Sequence, residues 1–525
     1  MDGRGSSILT ALALAGCLSA GEGVDLPLDR IYYPVGMAAD KDKGAEYLFV
    51  VNSDFDLQYN GGSVQALSLD RIRGLVPRGC STDSDCASGR ICDNTSRNGS
   101  DPSYWCVEAQ GNRVRPCGEL GERPLEERLQ RPGLCQHVDL RDRPGGGPEL
   151  LIDAVEIKAF ASDALYASNP NGQGVEGRLF IPVRGDSTLH WIDVGTEGRL
   201  ECGQGAGTTC GAQFRVGEGA AQVGGDDLVM PAEPTGIAAS RDGTALVVTH
   251  EFVSQLSLFV NDWDTGAGPR LTHLSEPLSG SPVGIAAVDG PPGAFDGDRF
   301  LVGFRGRAEL ALFQAFDDEA AAPKAPFLEP VGSAAILANY SGADSRGIVV
   351  DAAEREECER RCDDDGEACG ASCEGVPVPV YVANRAPSSL LVGHIEGRGT
   401  PGPVVTIADS VPTPFGPSRV AIGDIVDTDG EFAKRVFVVS FDSRRIGIYD
   451  PDLRQFERWV ITGRGPQALI LDSGVSPEGE NYALAYVGHF TDSYIGVVQL
   501  DQRQRHSFGE IVLSVGEPVA PRGSN

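Results

Sequence analysis

The sequence predicts an all-β protein: one seven-bladed β-propeller of four-stranded blades, with disulfide-rich loop inserts. Three observations predict it. A Pro-x-Gly-apolar-Ala step recurs, as in "EPTGIAASRDGTALVVTHEFVSQLSLFV" at residues 233–260, each time followed by short apolar runs. Uninterrupted copies recur at about 50 residues, the period of propeller blades. The 68 Gly and 34 Pro residues fit many turns and few long helices.

The copies follow one another in order. Pro34-Val-Gly-Met-Ala leads into "YLFVVN" and "SVQALSLD". A weaker copy runs from "IDAVEIKAF" through "RLFIPVRGD" to "TLHWIDV", residues 152–194. Pro234-Thr-Gly-Ile-Ala leads into "ALVVTH" and "QLSLFV", and Pro282-Val-Gly-Ile-Ala into "RFLVGF" and "ELALFQ". Ser345-Arg-Gly-Ile-Val precedes "PVYVAN" and "SLLVGHI". Pro417-Ser-Arg-Val-Ala precedes "RVFVVSF" and "RIGIYD", and Pro466-Gln-Ala-Leu-Ile precedes "ALAYVGH" and "YIGVVQLD". That makes seven copies within residues 30–520, and "EPVA" at 517–520 reads as the start of a further turn. Each copy supplies three apolar strands and a variable fourth. The central run is apolar on both faces, as a strand stacked between two sheets requires. The innermost run is small because seven such strands converge on one axis. The role of "DRIYYP", ahead of the first copy, stays open.

Three inserts interrupt the repeat. Residues 71–147 carry Cys80, Cys86, Cys92, Cys106, Cys117 and Cys135, projecting after the first blade, with "RPGGGPE" as the linker back. Residues 195–230 carry Cys202 and Cys210. Residues 353–376 carry Cys358, Cys362, Cys369 and Cys373, between the first two strands of the fifth blade. Cys17 is the thirteenth cysteine, and removing it leaves an even number, as a disulfide framework requires. Such usage points to an oxidising, exported location. In "CERRCDDDGEACGASC" the spacing departs from the two-residue knuckle of structural zinc sites. "AEREECERRC" has helix-forming composition, so Cys358 and Cys362 share a helix face. A helical hairpin pairing Cys358 with Cys373 and Cys362 with Cys369 is the expectation. Inserts without an apolar core need such staples.

The formal net charge is −31, from 75 acidic and 44 basic residues. A surface this negative repels phosphate backbones, so no nucleic-acid partner is expected. Residues 8–16, "ILTALALAG", lie behind Arg4 and are too short to span a bilayer. They have the length of a signal-peptide core, residues 1–16 being the signal peptide. "LAGC", ending at Cys17, resembles the lipobox of bacterial lipoproteins. The resemblance implies lipidation of Cys17, with residues 17–29 as tether and the membrane reached through acyl chains. Leu18 after the cysteine implies the outer rather than the inner membrane. The n-region is weak, because Asp2 offsets Arg4.

"CSTDSDCASGRIC" resembles small Cys-rich inserts of myxobacterial surface lipoproteins. The repeats resemble the broad YVTN, NHL and lactonase-like propeller superfamily. That resemblance implies the fold, and it says little of activity.

The ends of the second strands are expected at one mouth of the channel. They bring up Asn52 with Asp54, Arg184, His250 with Glu251, and Arg305. They also bring up Asn384 with Arg385, Asp442, and His489. Oxygen and imidazole ligands in that set suit a metal or substrate site; the same residues also suit a solvated rim. The lactonase-like resemblance implies an axial calcium polarising a lactone carbonyl. Asn52, Asn384 and Asp442 would then be ligands and His250 or His489 the base. "PVGMA" at 34–38 lacks the axial glutamate that such relatives carry, which counts against an enzyme. "DIVDTDGE" (Asp424, Asp427, Asp429, Glu431) and "CDDDGE" (Asp363–Asp365, Glu367) lack full calcium-loop spacing. No Gly-x-Ser-x-Gly, phosphate loop or His-Glu-x-x-His occurs. The expected function is a monomeric, non-catalytic binding or scaffold lipoprotein of the envelope. Its propeller mouth and inserts would contact protein or glycan. No cofactor is expected, calcium being the one the pattern admits.

Overall fold

A computed structural model of the chain contains seven blade sheets in sequence order, each built on four antiparallel strand positions, with a fifth short strand added in the second and the seventh. The described residues are 24–516 and 518, without 42, 77–83, 85–89, 95–103, 109–136, 144–146, 173–174, 204–207, 219–227, 264–267, 289–296, 317–325, 337–342, 366–372, 374, 398–402 and 506. The expected signal peptide and Cys17 lie outside them. So do Cys80, Cys86, Cys117, Cys135, Cys369 and Glu367. No helix among the described residues is long and apolar enough to cross a membrane.

Blade 1 joins Pro34–Ala39, Tyr47–Asn52, Gly62–Ser68 and Leu151–Ile157. Blade 2 begins at Leu165–Ser168 and continues through Gly177–Val183 and Thr188–Val194. Its outer edge is split between Leu200–Glu201 and Arg215–Val216, which both pair the third strand. The "EPTGIAAS" stretch opens blade 3, Pro234–Ala239. Blades 4 to 7 open at Ser281, Ser345, Pro417 and Pro466.

The second copy needs correcting. Leu151–Ile157, expected to open it, pairs with Gly62–Ser68 as the outer strand of blade 1. Its residues are mostly half-buried, as an edge strand's are. The 71–147 insert therefore leaves between strands three and four of blade 1, not after the blade.

Second strands are buried along their length: Tyr47–Asn52 and Ala245–His250 each hide both faces. They lie between neighbouring sheets, so the core divides into layers between blades. Phe49 and Val51 meet Leu179 and Ile181 between blades 1 and 2. Val247 meets Phe300 and Val302 between blades 3 and 4. Inner strands approach more closely still. A Cβ on Gly347 would sit 2.7 Å from the Arg419 backbone, and one on Gly284 would sit 2.6 Å from the Arg346 carbonyl oxygen. Only glycine permits that spacing.

Blades 7 and 1 meet without sharing a strand, since the four strands of blade 7 all come from residues 466–515. Two other segments close the ring. "DRIYYP" packs between them: Ile31 joins Val515 in the core, and the Tyr33 N–H donates to Ser493 Oγ at 3.2 Å. His137–Val138, from the end of the long insert, adds a parallel strand to Ile511–Val515.

The staples are partly visible. Cys202 bonds Cys210, and Cys358 bonds Cys373. Cys362 is also disulfide-bonded. The helix Ala353–Asp365 carries both Cys358 and Cys362. In the long insert, Arg90–Asn94 pairs Tyr104–Glu108 with Cys92 opposite Cys106 in register.

Candidate functional site

The mouth is built by one repeated device. In blades 1, 3, 5 and 7 the first residue of strand one is opposite the end of strand two. Pro34 faces Asn52, Pro234 faces His250, Ser345 faces Asn384 and Pro466 faces His489. A bulge follows immediately in each. The strand-two residues at this level are all fully buried. Asn52 Oδ1 accepts from the Tyr32 N–H at 2.9 Å, and its Nδ2 donates to Ser63 Oγ and Gln65 Oε1, both at 3.0 Å. His250 Nε2 lies 2.8 Å from Ser257 Oγ and its Nδ1 3.2 Å from the Ala232 oxygen. Asn384 Nδ2 donates to the Pro387 oxygen at 2.8 Å. His489 stacks on Tyr494 with centroids 4.0 Å apart. Burial lowers His250 to about 4 and His489 to about 3, so both rings are neutral near pH 7.

Asn52, His250 and Asn384 are therefore blade-to-loop fasteners, while His489 is buried within blade 7 against Tyr494, and the expectation that these four face the channel is corrected. The pleat turns the next residue toward the axis. Ser53, Arg184, Glu251, Arg385, Phe441 and Phe490 line a central cavity of about 430 Å³. Arg305 and Asp442 stand behind them: Arg305 Nη1 is 2.8 Å from Glu251 Oε1, and Arg385 Nη2 is 2.6 Å from Asp442 Oδ2. Of the expected mouth residues, Arg184, Glu251 and Arg385 line the cavity, Arg184 pairing with Glu233, while Arg305 and Asp442 hold lining residues.

The turns into strand one set the wall. Tyr33, Phe160 and Glu233 precede strands one and adopt positive φ of 50°, 63° and 57°. Non-glycine residues there cost about 1 kcal/mol each. In blades 6 and 7 the same place holds Gly416 and Gly465. The three exceptions carry side chains the mouth uses. Tyr33 packs on Phe490 at 4.8 Å, Phe160 on Phe55 at 5.9 Å, and Glu233 pairs with Arg184. Phe55 also meets Phe490 at 5.3 Å. An aromatic arc thus runs over blades 6, 7, 1 and the entry to blade 2.

The floor was not anticipated from the sequence. Two residues after Pro34, Pro234, Pro282 and Ser345, blades 1, 3, 4 and 5 carry Gly36, Gly236, Gly284 and Gly347, and blade 7 carries Ala468 two after Pro466. Blade 6 carries Arg419 two after Pro417, and blade 2 carries Asp163, ahead of its first strand and two after Ala161, which bridges Val183. These two meet across the axis in a bidentate pair, Nη2–Oδ1 2.9 Å and Nη1–Oδ2 3.1 Å. The available signal was an arginine in Pro417-Ser-Arg-Val-Ala where other copies have glycine.

Charge at the mouth is balanced, unlike that of the chain as a whole. Its lining holds Arg184, Arg346, Arg385 and Arg419 against Asp163 and Glu251, and Glu233, Asp344, Asp442 and Arg305, paired behind them, bring it to formal neutrality. The chain is at −31. Arg346 Nε lies 2.6 Å from Asp344 Oδ1.

The proposed calcium set does not fit. Asn52 and Asn384 are buried and bonded away from the axis, Asp442 is paired with an arginine, and the axis itself holds the Arg419–Asp163 pair. Among the described residues, the convergent set of three His, Cys, Asp or Glu side chains is Cys358, Cys362 and Cys373, all disulfide-bonded. The "DIVDTDGE" loop is an acidic hairpin turn: Asp427 Oδ1 accepts from the Asp429 and Glu431 N–H groups at 2.9 Å. Asp363–Asp365 end the helix of the four-cysteine insert.

No family model and no curated protein matches this chain. Several solved structures are similar in architecture. Hydrazine synthase of Kuenenia stuttgartiensis matches with a TM-score of 0.44 and 12% identity, over 91% of this chain and 98% of that one. A putative 6-phosphogluconolactonase of Bacteroides uniformis matches at 0.42 and 11%, over 82% and 86%. The periplasmic gluconolactonase of Pseudomonas aeruginosa matches at 0.41 and 14%, over 82% and 97%. The seven-bladed propeller rests on the chain's own sheets, and the activities named for these structures are their own.

Proposed function

We propose that this protein is a non-catalytic binding propeller that takes a protein or glycan partner at its channel mouth. The observation that carries the reading is the Arg419–Asp163 pair across the axis. It stands where a hydrolytic metal would be held, and the side chains suited to that metal are bonded elsewhere. The exported, lipid-anchored setting belongs to the same proposal. It is supported by "LAGC" at Cys17 and by disulfides such as Cys202–Cys210 and Cys358–Cys373, which suit an oxidising compartment.

The alternative is a calcium-dependent lactonase-like hydrolase. Metal analysis of the purified chain after dialysis in metal-free buffer separates the two, run beside turnover of a lactone panel with and without chelator. The binding reading expects no stoichiometric calcium and no chelator-sensitive turnover. About one calcium per chain, lost in Asp442→Ala together with lactone hydrolysis, would overturn it.

A further inference from the structure

Resting on that binding reading, we propose that the mouth takes the end of a neutral glycan, a sugar chain without carboxylate, sulfate or phosphate. Two features of the cavity point to this occupant. The first is that its ring is divided in two. Blades 6, 7 and 1 and the entry to blade 2 turn Phe441, Phe490, Phe55 and Phe160 toward it. Phe55 stays 51% exposed although it touches Tyr33, Phe160 and Phe490. The rest of the ring, from Arg184 of blade 2 to Arg385 of blade 5, turns ion-paired side chains toward it instead.

The second feature is that these pairs are satisfied in charge and not in hydrogen-bonding capacity. A guanidinium carries five N–H donors, and a carboxylate has about four acceptor sites. The Arg385–Asp442 side chains remain 33% and 28% exposed, and those of Arg184–Glu233 remain 35% and 36% exposed. Donors and acceptors therefore stand side by side with no net charge. A sugar hydroxyl donates and accepts at once, so neighbouring hydroxyls can accept from the guanidinium and donate to the carboxylate of one pair. The same sugar ring has an apolar C–H face, which packs on an aromatic ring. Both chemistries sit on one compact unit, as the two halves of the cavity require. An anionic occupant would have to unseat a carboxylate already in place, and would meet the field of a chain at −31. A wholly apolar one would strip water from the pairs and replace none of its hydrogen bonds. Arg419 and Asp163 close the floor, so a chain end enters and no strand passes through. The volume of about 430 Å³ is that of a small-molecule site.

The test uses the whole chain and isothermal titration with maltotetraose, cellotetraose, mannotetraose, xylotetraose and tetra-N-acetylchitotetraose. Tetragalacturonate and the neutral peptide acetyl-Ser-Phe-Gln-Phe-Ser-amide are run beside them. At least one neutral oligosaccharide is expected to bind with a Kd of about 1 mM or tighter. Its affinity should change by less than about twofold between about 0.05 and about 0.5 M salt, since no charge is recognised. Tetragalacturonate should bind at least about tenfold more weakly. Phe55→Ala and Arg385→Ala, each with an unchanged circular dichroism spectrum, should each weaken the sugar by at least about fivefold. Phe415→Ala, exposed and outside the cavity lining, should leave its affinity unchanged. Saturation transfer from aromatic protein resonances should reach the C–H protons of the bound sugar, and should be lost in Phe55→Ala. Absence of binding across the neutral oligosaccharides, or affinity that survives both cavity variants, would overturn the inference. Tighter binding of tetragalacturonate would overturn it in favour of an acidic glycan, and binding of the peptide alone in favour of a protein segment. Both of those results would leave the binding reading standing, whereas calcium-dependent lactone turnover would overturn that reading itself.

Discussion

Asp163 and Arg419 should behave as a coupled pair, although 256 residues separate them. Asp163→Asn and Arg419→Gln, made singly and together, remove the charges with little change in volume. Two unit charges about 4 Å apart attract by about 4 kcal/mol at an effective dielectric of about 20. The side chains are 12% and 31% exposed, so solvent screening and desolvation reduce this. A coupling energy of about 1–2 kcal/mol remains. Each single change should cost more than its share of the double change, because it leaves a partly buried charge unmatched. The assay is urea unfolding followed by tryptophan fluorescence and far-ultraviolet circular dichroism. It applies where the two transitions coincide. Additive effects, within about 0.3 kcal/mol, would refute the view that the pair fastens blade 2 to blade 6.

Further outcomes follow from burial and from close packing. His250 has a folded pKa near 4, below the ordinary histidine value, so it favours the fold fully above about pH 6.5. That contribution is lost as pH falls from about 6.5 through about 4, and is worth about 3 kcal/mol at most. Melting temperatures of the wild type and His250→Gln should converge over that window, and a gap independent of pH would contradict the burial argument. Asp54 and Asp298, both raised by burial to about 7, act in the opposite sense, with stability falling as pH rises from about 4 to about 7. Gly347→Ala should destabilise by about 1–3 kcal/mol, since its Cβ would meet Arg419 and Val420 backbone at 2.7 and 2.9 Å. Gly74→Ala, in the helix Leu69–Leu75 with open space around it, should stabilise by about 0.5–1 kcal/mol, and denaturation midpoints read both signs.

Blade number and strand order were legible because burial on both faces leaves a continuous apolar run, and axial crowding leaves glycine. Where those pressures relax, the reading slipped. Blade 2 carries Asp163 at the crowded position, so its short inner strand lacked the signature, and the neighbouring edge strand was taken for it. The mouth was legible to within one residue. Asn52 and Ser53 differ only in which way the pleat and bulge turn them, yet one fastens a loop and the other faces the channel. Cross-axis partners such as Arg419 and Asp163 leave no mark on local spacing, because the ring alone brings them together.

The closure of that ring has a consequence for how the molecule is made. His137 pairs with Ser514, so the clasp is synthesised long before its partner. Until Ile511–Val515 emerges, the exposed flank of blade 1 and the face of "DRIYYP" have nothing to seal against. Until then the growing chain is an open arc with two unsatisfied ends. Long-range pairings of this kind form slowly and expose apolar edges meanwhile. A chain cut short even a few residues before Val515 would keep nearly all its blades and still be unable to become a disc.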